Sequence, residues 1–386
     1  MTMQYEIRNI KRLISPIRIG DQTPKIVVNL GITNEYQTIS CEIEKARVAV
    51  KHGASIIADV TTIGEIQSVH KALMETIDRP INTVPLYEIY QQARKTKSWD
   101  SRLNKNQVLD IIEAQADSGV DCMTLHSSYK IENFEKIKNS PRRIRIQGRG
   151  GGLIHEYFIR SGNENPLYLY FDDILRILKK YHVTLSLGNC LRNGTIDDPI
   201  DDFIQLETLT WAKLSKRAIE NGINVMTEGL SHIRFGMINP YVRWVKTVCP
   251  NVPIRLLGPL GTEKGLGYDH ITAAICATEA IRAGTDLITC VTRAEHIGLP
   301  SKEEIREAVV SIRIAIELAT QSWEPGEVTS NFQCGLGFEN LKSDNMFDLE
   351  KAVELKLEKN NGNLSACSMC AELCRIRLNP RALVEE

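Results

Sequence analysis

Three cysteines near the carboxyl end of the chain have the spacing of a metal-binding group. Cys367, Cys370 and Cys374 form a C-x2-C-x3-C array within the last twenty residues. A closed structural zinc site needs four protein ligands, and no second Cys pair or Cys/His pair lies nearby in the sequence. Three thiolates hold an iron–sulfur cluster with one iron open. The array indicates such a cluster, and two alternatives stay open: zinc completed by a distant histidine, and buried or disulfide-forming cysteines.

The same spacing, read backwards, is the C-x3-C-x2-C triad of radical S-adenosylmethionine enzymes, in which the open iron binds S-adenosylmethionine. The chain has 10 cysteines, and the others stand singly in apolar segments. Buried single thiols are typical of a reducing compartment, so a secreted disulfide framework is not expected.

Bulk composition favours a cytoplasmic enzyme. The 386 residues include 47 basic and 48 acidic side chains, so no net charge draws the chain to nucleic acid or anionic lipid. Its first residues, MTMQYEIRNIKRLISP, are too polar for a signal peptide. No apolar run approaches the roughly 18 residues of a membrane span.

A second metal site and an anion site are suggested by residues in the middle of the chain. Glu228 and His232 in EGLSH, with His296 in AEHIGLP, are potential ligands of a divalent ion, although each histidine alone is more often structural. Arg149 precedes glycines at 150–152, which let backbone N–H groups approach a phosphate. Further arginines that add positive charge or a second anion contact are Arg142, Arg143, Arg145 and Arg192.

Hydrophobic periodicity predicts a (β/α)8 barrel over residues 25–320. Short, almost continuously apolar runs alternate with amphipathic segments, as buried parallel strands alternate with crossover helices. Nine runs are candidates where a barrel needs eight, so one lies outside the wall. The runs are 26–31, 55–62, 81–87, 122–128, 144–151, 183–189, 223–229, 254–260 and 287–293.

Polar residues at the carboxyl ends of these runs are where barrel enzymes place their active sites. They are Asn29, Asp59, Tyr87, His126, Arg149, Asn189, Glu228 and His296. Residues 1–24 are expected to form an amino-terminal extension. Residues 321–386 are expected to form a helical carboxyl-terminal domain whose tail carries the cysteines.

Several segments together resemble the phosphomethylpyrimidine synthase superfamily of non-canonical radical S-adenosylmethionine enzymes. The resemblance runs in order over about residues 26–378, and the chain looks like a divergent member. The segments are NTVPLYEIY, DCMTLHSS, GRGGGLI, VTLSLGNCLRNGTI, INVMTEGLSHI, LLGPL, GYDHIT, CVTRAEHIGLP and CSMCAELC.

This resemblance implies a TIM barrel, and a homodimer whose exchanged tails each bring a [4Fe-4S] cluster to the partner's barrel. It also implies S-adenosylmethionine, one divalent ion (zinc or iron) and a low-potential electron donor such as flavodoxin or ferredoxin. The family's substrate is 5-aminoimidazole ribonucleotide, which is rearranged into hydroxymethylpyrimidine phosphate of the thiamine pathway with loss of formate and carbon monoxide.

Residue roles follow from the resemblance position by position. The cluster ligands are Cys367, Cys370 and Cys374, and the metal ligands are His232 and His296. Catalytic roles fall to Glu228, His126 and Tyr87. The substrate contacts are Asn29, Tyr87, His126, Gly148, Arg149, Gly150, Asn189, Cys190, Leu191, Arg192, Glu228 and Arg255.

Departures from the family pattern fall around the substrate. Asn189 and Cys190 replace Asp-Gly, Arg255 replaces a tyrosine, and Gly148 replaces a serine, while Ala58 stands for a methionine. The cysteine array is one residue shorter than the family's C-x2-C-x4-C. On formal charge, the pocket loses one negative and gains one positive group, so a preference for a more anionic ligand is expected.

Three alternatives to thiamine pyrimidine synthesis therefore stay open. One is a 5-hydroxybenzimidazole synthase acting on the same nucleotide, for anaerobic cobamide biosynthesis. Another is a paralogue whose extra arginines accept a different anion. The third, from another class, is a non-radical metal-dependent hydrolase in which His232 and His296 activate water and the cysteines hold structural zinc.

Overall fold

The protein's structure is a computed structural model that describes residues 3–21, 23–321, 346–364, 368, 369 and 373. A two-stranded antiparallel hairpin, β1 (Tyr5–Ile7) and β2 (Ile17–Ile19), precedes eight parallel strands that close into a barrel. The barrel strands in chain order are β3 (Lys25–Leu30), β4 (Ile56–Asp59), β5 (Ile81–Thr83), β6 (Cys122–Leu125), β7 (Thr184–Leu187), β8 (Val225–Glu228), β9 (Ile254–Leu257) and β10 (Leu287–Thr289).

This closed parallel barrel confirms the predicted fold class. Strands β4, β6, β7 and β8 are buried at every residue, as expected for strands covered on both faces. The helices of the barrel unit are α1 (Ile39–Lys51), α2 (Ile66–Thr76), α3 (Pro85–Lys95), α4 (Lys105–Ser118), α5 (Phe134–Lys138), α6 (Arg149–Ser161), α7 (Pro166–Leu169), α8 (Phe171–Tyr181), α9 (Asp202–Glu220), α10 (Ile238–Val248), α11 (Asp269–Arg282) and α12 (Lys302–Thr320).

One predicted strand was wrong. Residues 144–148 form a loop, and Arg149 begins helix α6 after Gly148. The apolar residues of this loop are not buried on two faces, since Ile144 is 43% exposed. Instead the loop is held by Arg142, whose guanidinium donates to the Leu191 carbonyl at 2.6 Å and to the Asp201 carboxylate. This run is the ninth candidate, outside the barrel wall.

The amino-terminal residues seal the end of the barrel opposite the site. Ile7 and Ile19 of the hairpin pack with Met226 at the start of the barrel strands. Asn9 donates from its side chain to the carbonyls of Ala116 and Val120, each at 2.8 Å. With its amino-terminal end filled by side chains, the barrel is open to ligands at its carboxyl end.

Contacts divide the chain into two compact units, Met1–Thr320 and Gln321–Glu386. In the second unit the structure describes helix α13 (Leu349–Lys359), which Asp348 caps by accepting the Lys351 amide at 3.0 Å. The predicted cluster ligands Cys367, Cys370 and Cys374 lie outside the described residues. No helix within the described ranges is long and apolar enough to cross a membrane.

Candidate active site

A cavity of about 420 Å³ opens at the carboxyl ends of the barrel strands, and it collects most of the predicted site residues. Because the ends of all eight strands meet there, residues far apart in sequence become neighbours. The predicted residues that line it are Asn29, Tyr87, His126, Gly148, Arg149, Gly150, Asn189, Arg192, Glu228, His232, Arg255 and His296.

The first turn of helix α6 forms an anion cradle on one side of this cavity. Gly152 donates to the Gly148 carbonyl at 2.8 Å, which closes the first helical turn. The backbone amides of residues 149–151 come before this first hydrogen-bonded amide of the helix. None of the three has an acceptor within the described residues. Free amides at a helix amino terminus, where the helix dipole is positive, bind phosphate well.

Two arginines converge on this cradle. The Nε atom of Arg192 is buried and has no hydrogen-bond partner in the described part of the chain, although the side chain lines the cavity. Arg149 lies with its guanidinium carbon 5.6 Å from the centre of the Tyr87 ring. A buried guanidinium Nε–H without a partner is costly, and an anionic ligand in the cavity would satisfy it.

Close packing explains the glycines of this turn. A Cβ at Gly150 would lie 2.3 Å from the His126 ring, and one at Gly151 would lie 2.1 Å from the Cys190 carbonyl oxygen. A Cβ at Gly152 would meet nothing within 4 Å. Gly150 and Gly151 therefore let the helix approach His126 and the loop after β7, whereas Gly152 is not required sterically.

His126 and Tyr87 are both buried beside the cradle in their neutral forms. Burial lowers the pKa of His126 to about 4, so the imidazole is uncharged at neutral pH. Its Nδ1 atom has no hydrogen-bond partner within the described residues. Burial likewise raises the pKa of Tyr87, against the opposing effect of Arg149. Both groups are available to exchange hydrogen bonds with a ligand.

At the inner end of the cavity Glu228 is paired with Arg255. Arg255 donates to Glu228 Oε1 at 3.0 Å, to Asn29 Oδ1 at 3.2 Å and, through Nε, to Thr289 Oγ1 at 2.8 Å. The ion-paired side chains are 2% and 8% exposed. Glu228 and Arg255 are register partners on β8 and β9, which places both side chains on the same side of the barrel wall.

Asn189 organises the loop that carries Arg192. Its side-chain Oδ1 accepts from the Arg192 amide at 2.7 Å, while its Nδ2 donates to the Gly229 carbonyl at 3.3 Å. The backbone N–H of Asn189 donates to Glu228 Oε2 at 3.3 Å. Asn189 thereby connects the anion cradle to the inner carboxylate.

Cys190 and Leu191, predicted substrate contacts, do not line the cavity. Their amides donate to the carboxylate of Glu207 at 2.7 and 2.9 Å, and the Cys190 thiol is buried beside Ser128. Burial raises the pKa of Glu207 to about 7. Sequence reasoning missed this glutamate, and its only signal was a carboxylate on the buried face of helix α9.

His232 and His296 face each other at the cavity mouth. Their ring centroids are 5.6 Å apart, a separation that allows roughly 2.1 Å bonds from both rings to one ion. His296 Nδ1 lies 3.0 Å from Asp269 Oδ1, and His232 Nδ1 lies 3.4 Å from Glu263 Oε1.

The hydrogen bond between His296 Nδ1 and Asp269 leaves the Nε2 atom of His296 for a metal, as is usual around metal-binding histidines, whereas His232 Nδ1 has no hydrogen-bond partner within the described residues. Burial lowers the pKa of His232 and so favours the neutral imidazole that a metal requires. No group of three or more His, Cys, Asp or Glu side chains that could bind a metal occurs in the described ranges. The two histidines fit an ion whose other positions are filled by water or ligand.

Other predicted polar residues have structural roles. Asp59 points away from the cavity, where its carboxylate accepts from Thr61 and lies 3.1 Å from His70 Nε2. Arg142 forms an ion pair with Asp201, and Arg143 Nη1 lies 3.2 Å from Asp197 Oδ2. Neither arginine lines the cavity, so neither contacts a ligand bound there.

A parallel barrel whose carboxyl end has a cavity lined by buried titratable groups, free helix amides and a histidine pair has the architecture of an enzyme with a small-molecule substrate. Comparison with protein families identifies it further. Residues 6–381 match the radical SAM ThiC family, and the chain belongs to that family. It is therefore a radical S-adenosylmethionine enzyme, and the family implies both S-adenosylmethionine and an iron–sulfur cluster.

Named relatives agree with this assignment. The chain is 36% identical over 359 residues to phosphomethylpyrimidine synthase of Carboxydothermus hydrogenoformans, covering 92% of this chain and 84% of the relative. It is 34% identical over 376 residues to the phosphomethylpyrimidine synthase of Methanococcus vannielii, covering 96% of this chain and 88% of the relative.

Among solved structures, a dihydropteroate synthase of Coxiella burnetii in complex with pteroic acid matches at 12% identity and a TM-score of 0.46, covering 79% of this chain and 95% of that chain.

Proposed function

We propose that the protein is a radical S-adenosylmethionine lyase that rearranges 5-aminoimidazole ribonucleotide or a close analogue into 4-amino-5-hydroxymethyl-2-methylpyrimidine phosphate. The observation that carries the proposal is the anion cradle. Free amides at the start of helix α6 and the unpartnered Arg192 Nε face one cavity, which has room for a nucleotide monophosphate beside them. Its relatives' name, phosphomethylpyrimidine synthase, supports this substrate class.

In this proposal the phosphate binds to the cradle with Arg149 and Arg192, and the imidazole ring extends toward Glu228 at the inner end. His126, held neutral by burial, accepts a hydrogen bond at a ring nitrogen, and Tyr87 donates a hydrogen bond. Asn29 and Asn189 fix the position of the inner polar groups through Arg255 and Glu228.

The cluster and the metal ion occupy defined places in the proposal. Cys367, Cys370 and Cys374 would hold the cluster, which would supply the electron for reductive cleavage of S-adenosylmethionine. His232 and His296 hold one zinc or iron ion at the cavity mouth. Replacing His296 by Ala should abolish that ion in elemental analysis of cluster-free protein, and a retained stoichiometric ion would contradict this assignment.

Two further features belong to the same proposal. A cytoplasmic homodimer would exchange its carboxyl-terminal tails, so that each cluster serves the partner's barrel. A low-potential flavodoxin or ferredoxin would deliver the electron. Sedimentation of wild-type protein and of a chain truncated after residue 320 tests the first feature, since monomers in both preparations would contradict it.

Anaerobic turnover tests the proposed reaction. The protein is incubated with 5-aminoimidazole ribonucleotide, S-adenosylmethionine and a reductant, and products are identified by mass spectrometry. The pyrimidine phosphate with formate and carbon monoxide is expected. 5-Hydroxybenzimidazole would identify the cobamide branch instead, and a colourless zinc protein that hydrolyses its substrate would overturn the radical mechanism.

A further inference from the structure

The inner end of the cavity has hydrogen-bonding capacity that the protein does not use. A guanidinium has five N–H donors, and Arg255 makes three hydrogen bonds, to Thr289, Glu228 and Asn29. Two N–H groups are thus left without an acceptor within the described residues. Because Arg255 is 2% exposed yet lines the cavity, these N–H groups can be reached only from the cavity, by water or by a ligand that displaces it.

Glu228, which pairs with Arg255, has part of its hydrogen-bonding capacity occupied. Its carboxylate accepts from Arg255 at 3.0 Å and from the Asn189 backbone amide at 3.3 Å, while the Thr124 hydroxyl, 3.4 Å away, has Asn82 Oδ1 as a closer acceptor at 3.2 Å. A carboxylate offers about four acceptor positions, so about one or two remain for a ligand. The charges of Glu228 and Arg255 also cancel at this contact, and the inner end as a whole is neutral.

We propose that Arg255 is a specificity-determining residue, and that the inner end recognises a neutral group carrying both a hydrogen-bond acceptor and a donor, as a carboxamide does. The proposal rests on the class of ligand proposed above, an imidazole ribonucleotide, and departs from the product proposed there. The preferred ligand has a ring that bears such a group opposite its phosphate, and its product would differ from the pyrimidine phosphate by the atoms of that group.

Competing groups fit this surface less well. An amino group alone offers donors, which the two N–H groups of Arg255 cannot accept. A carboxylate would place a second negative charge beside Glu228, while the single positive charge of Arg255 is already paired. A carbonyl oxygen on Arg255 with an adjacent N–H on Glu228 leaves neither partner unsatisfied, which is the arrangement that discriminates best in a buried site.

Ligand binding to the cluster-containing protein tests the proposal. Calorimetric titration compares 5-aminoimidazole ribonucleotide, its 4-carboxamide and its 4-carboxylate, without S-adenosylmethionine so that no turnover occurs. The wild type is expected to bind the carboxamide about tenfold or more tightly than the unsubstituted nucleotide. Arg255→Tyr should remove that preference, so that the variant binds the carboxamide and the unsubstituted nucleotide equally while it still binds inorganic phosphate at the cradle.

The other possible outcomes contradict either the inference about Arg255 or the proposed function. Equal or weaker carboxamide binding by the wild type, or tightest binding of the carboxylate, would contradict the inference. A uniform loss of affinity for all three nucleotides in Arg255→Tyr would make Arg255 structural. If Arg255→Tyr does not fold, the wild-type ranking and Arg255→Lys, which keeps the charge with fewer donors, decide the question. Failure of all three nucleotides to bind would reject the proposed function itself.

Discussion

Arg255 donates a hydrogen bond to Glu228 Oε1 at 3.0 Å, and this buried ion pair sets the charge at the inner end of the cavity. From the sequence, Arg255 in place of the family's tyrosine adds a positive charge to the pocket, which predicts a preference for a more anionic ligand. Its pairing with Glu228 revises that expectation, because the charge is neutralised inside the protein. The free positive charge of the site is at the cradle, with Arg149 and Arg192.

Breaking this pair should destabilise the barrel. Arg255→Met leaves the Glu228 carboxylate buried and unpaired, which costs about 3–5 kcal/mol in the free energy of unfolding. Denaturant unfolding followed by the fluorescence of buried Trp99 and Trp211 measures the loss. The double variant Arg255→Met/Glu228→Gln should recover part of it, and equal stability of the single variant and the wild type would show that the pair is not buried as described.

Two glycines of helix α6 provide a matched test of its packing. Gly150→Ala places a methyl group 2.3 Å from the His126 ring and should destabilise by about 1–3 kcal/mol. Gly152→Ala meets nothing within 4 Å and should stabilise the helix by up to about 1 kcal/mol. Thermal unfolding of both variants measures the difference, and an equal effect at both sites would argue against the close approach of helix α6 to His126.

Removing one arginine should weaken the anion cradle selectively. Arg192→Ala is expected to lower the affinity for inorganic phosphate about tenfold, since it removes a charge-assisted hydrogen-bond donor. Arg145→Ala is the control, because Arg145 is exposed and does not line the cavity. Phosphate titration by calorimetry measures both variants. If Arg145→Ala lost as much affinity as Arg192→Ala, the binding would reflect overall charge.

Acidification should destabilise the protein through His126. Burial lowers the pKa of His126 in the folded protein to about 4, whereas an unfolded histidine has a pKa of about 6.5. Its contribution is therefore complete above pH 6.5 and falls as the pH drops toward 4, by about 3 kcal/mol at pH 4. Unfolding measured from pH 7 to 4 should show a shallower decline for His126→Gln than for the wild type. Parallel profiles would contradict the lowered pKa.

The barrel was predictable because buried parallel strands leave a direct trace in sequence: short apolar runs separated by helical periodicity. The false ninth strand, 144–151, shows the limit of that signal, since an apolar alternation near Ile144 does not report burial. Arg149 was predicted as an anion ligand in a glycine-rich turn, and the structure places it at the cavity in a different local setting. It begins a helix whose free amides form the cradle.

Side-chain pairing could not be predicted, because it depends on register and on burial. The contact between Glu228 and Arg255 follows from their pairing across β8 and β9, which no local pattern encodes. For the same reason Arg142 was interpreted as part of the anion site, although its guanidinium forms an ion pair with Asp201. Glu207 was missed because its partners are backbone amides of a loop distant in sequence.

The central claim is that this cavity performs cluster-dependent radical chemistry on an imidazole ribonucleotide. The most direct measurement is anaerobic formation of 5′-deoxyadenosine from S-adenosylmethionine, with and without 5-aminoimidazole ribonucleotide, in the wild type and in Cys370→Ala. The account predicts nucleotide-stimulated 5′-deoxyadenosine in the wild type and none in Cys370→Ala, with the barrel of that variant still folded. Equal 5′-deoxyadenosine from both proteins, or none from wild type shown spectroscopically to hold its cluster, would contradict it.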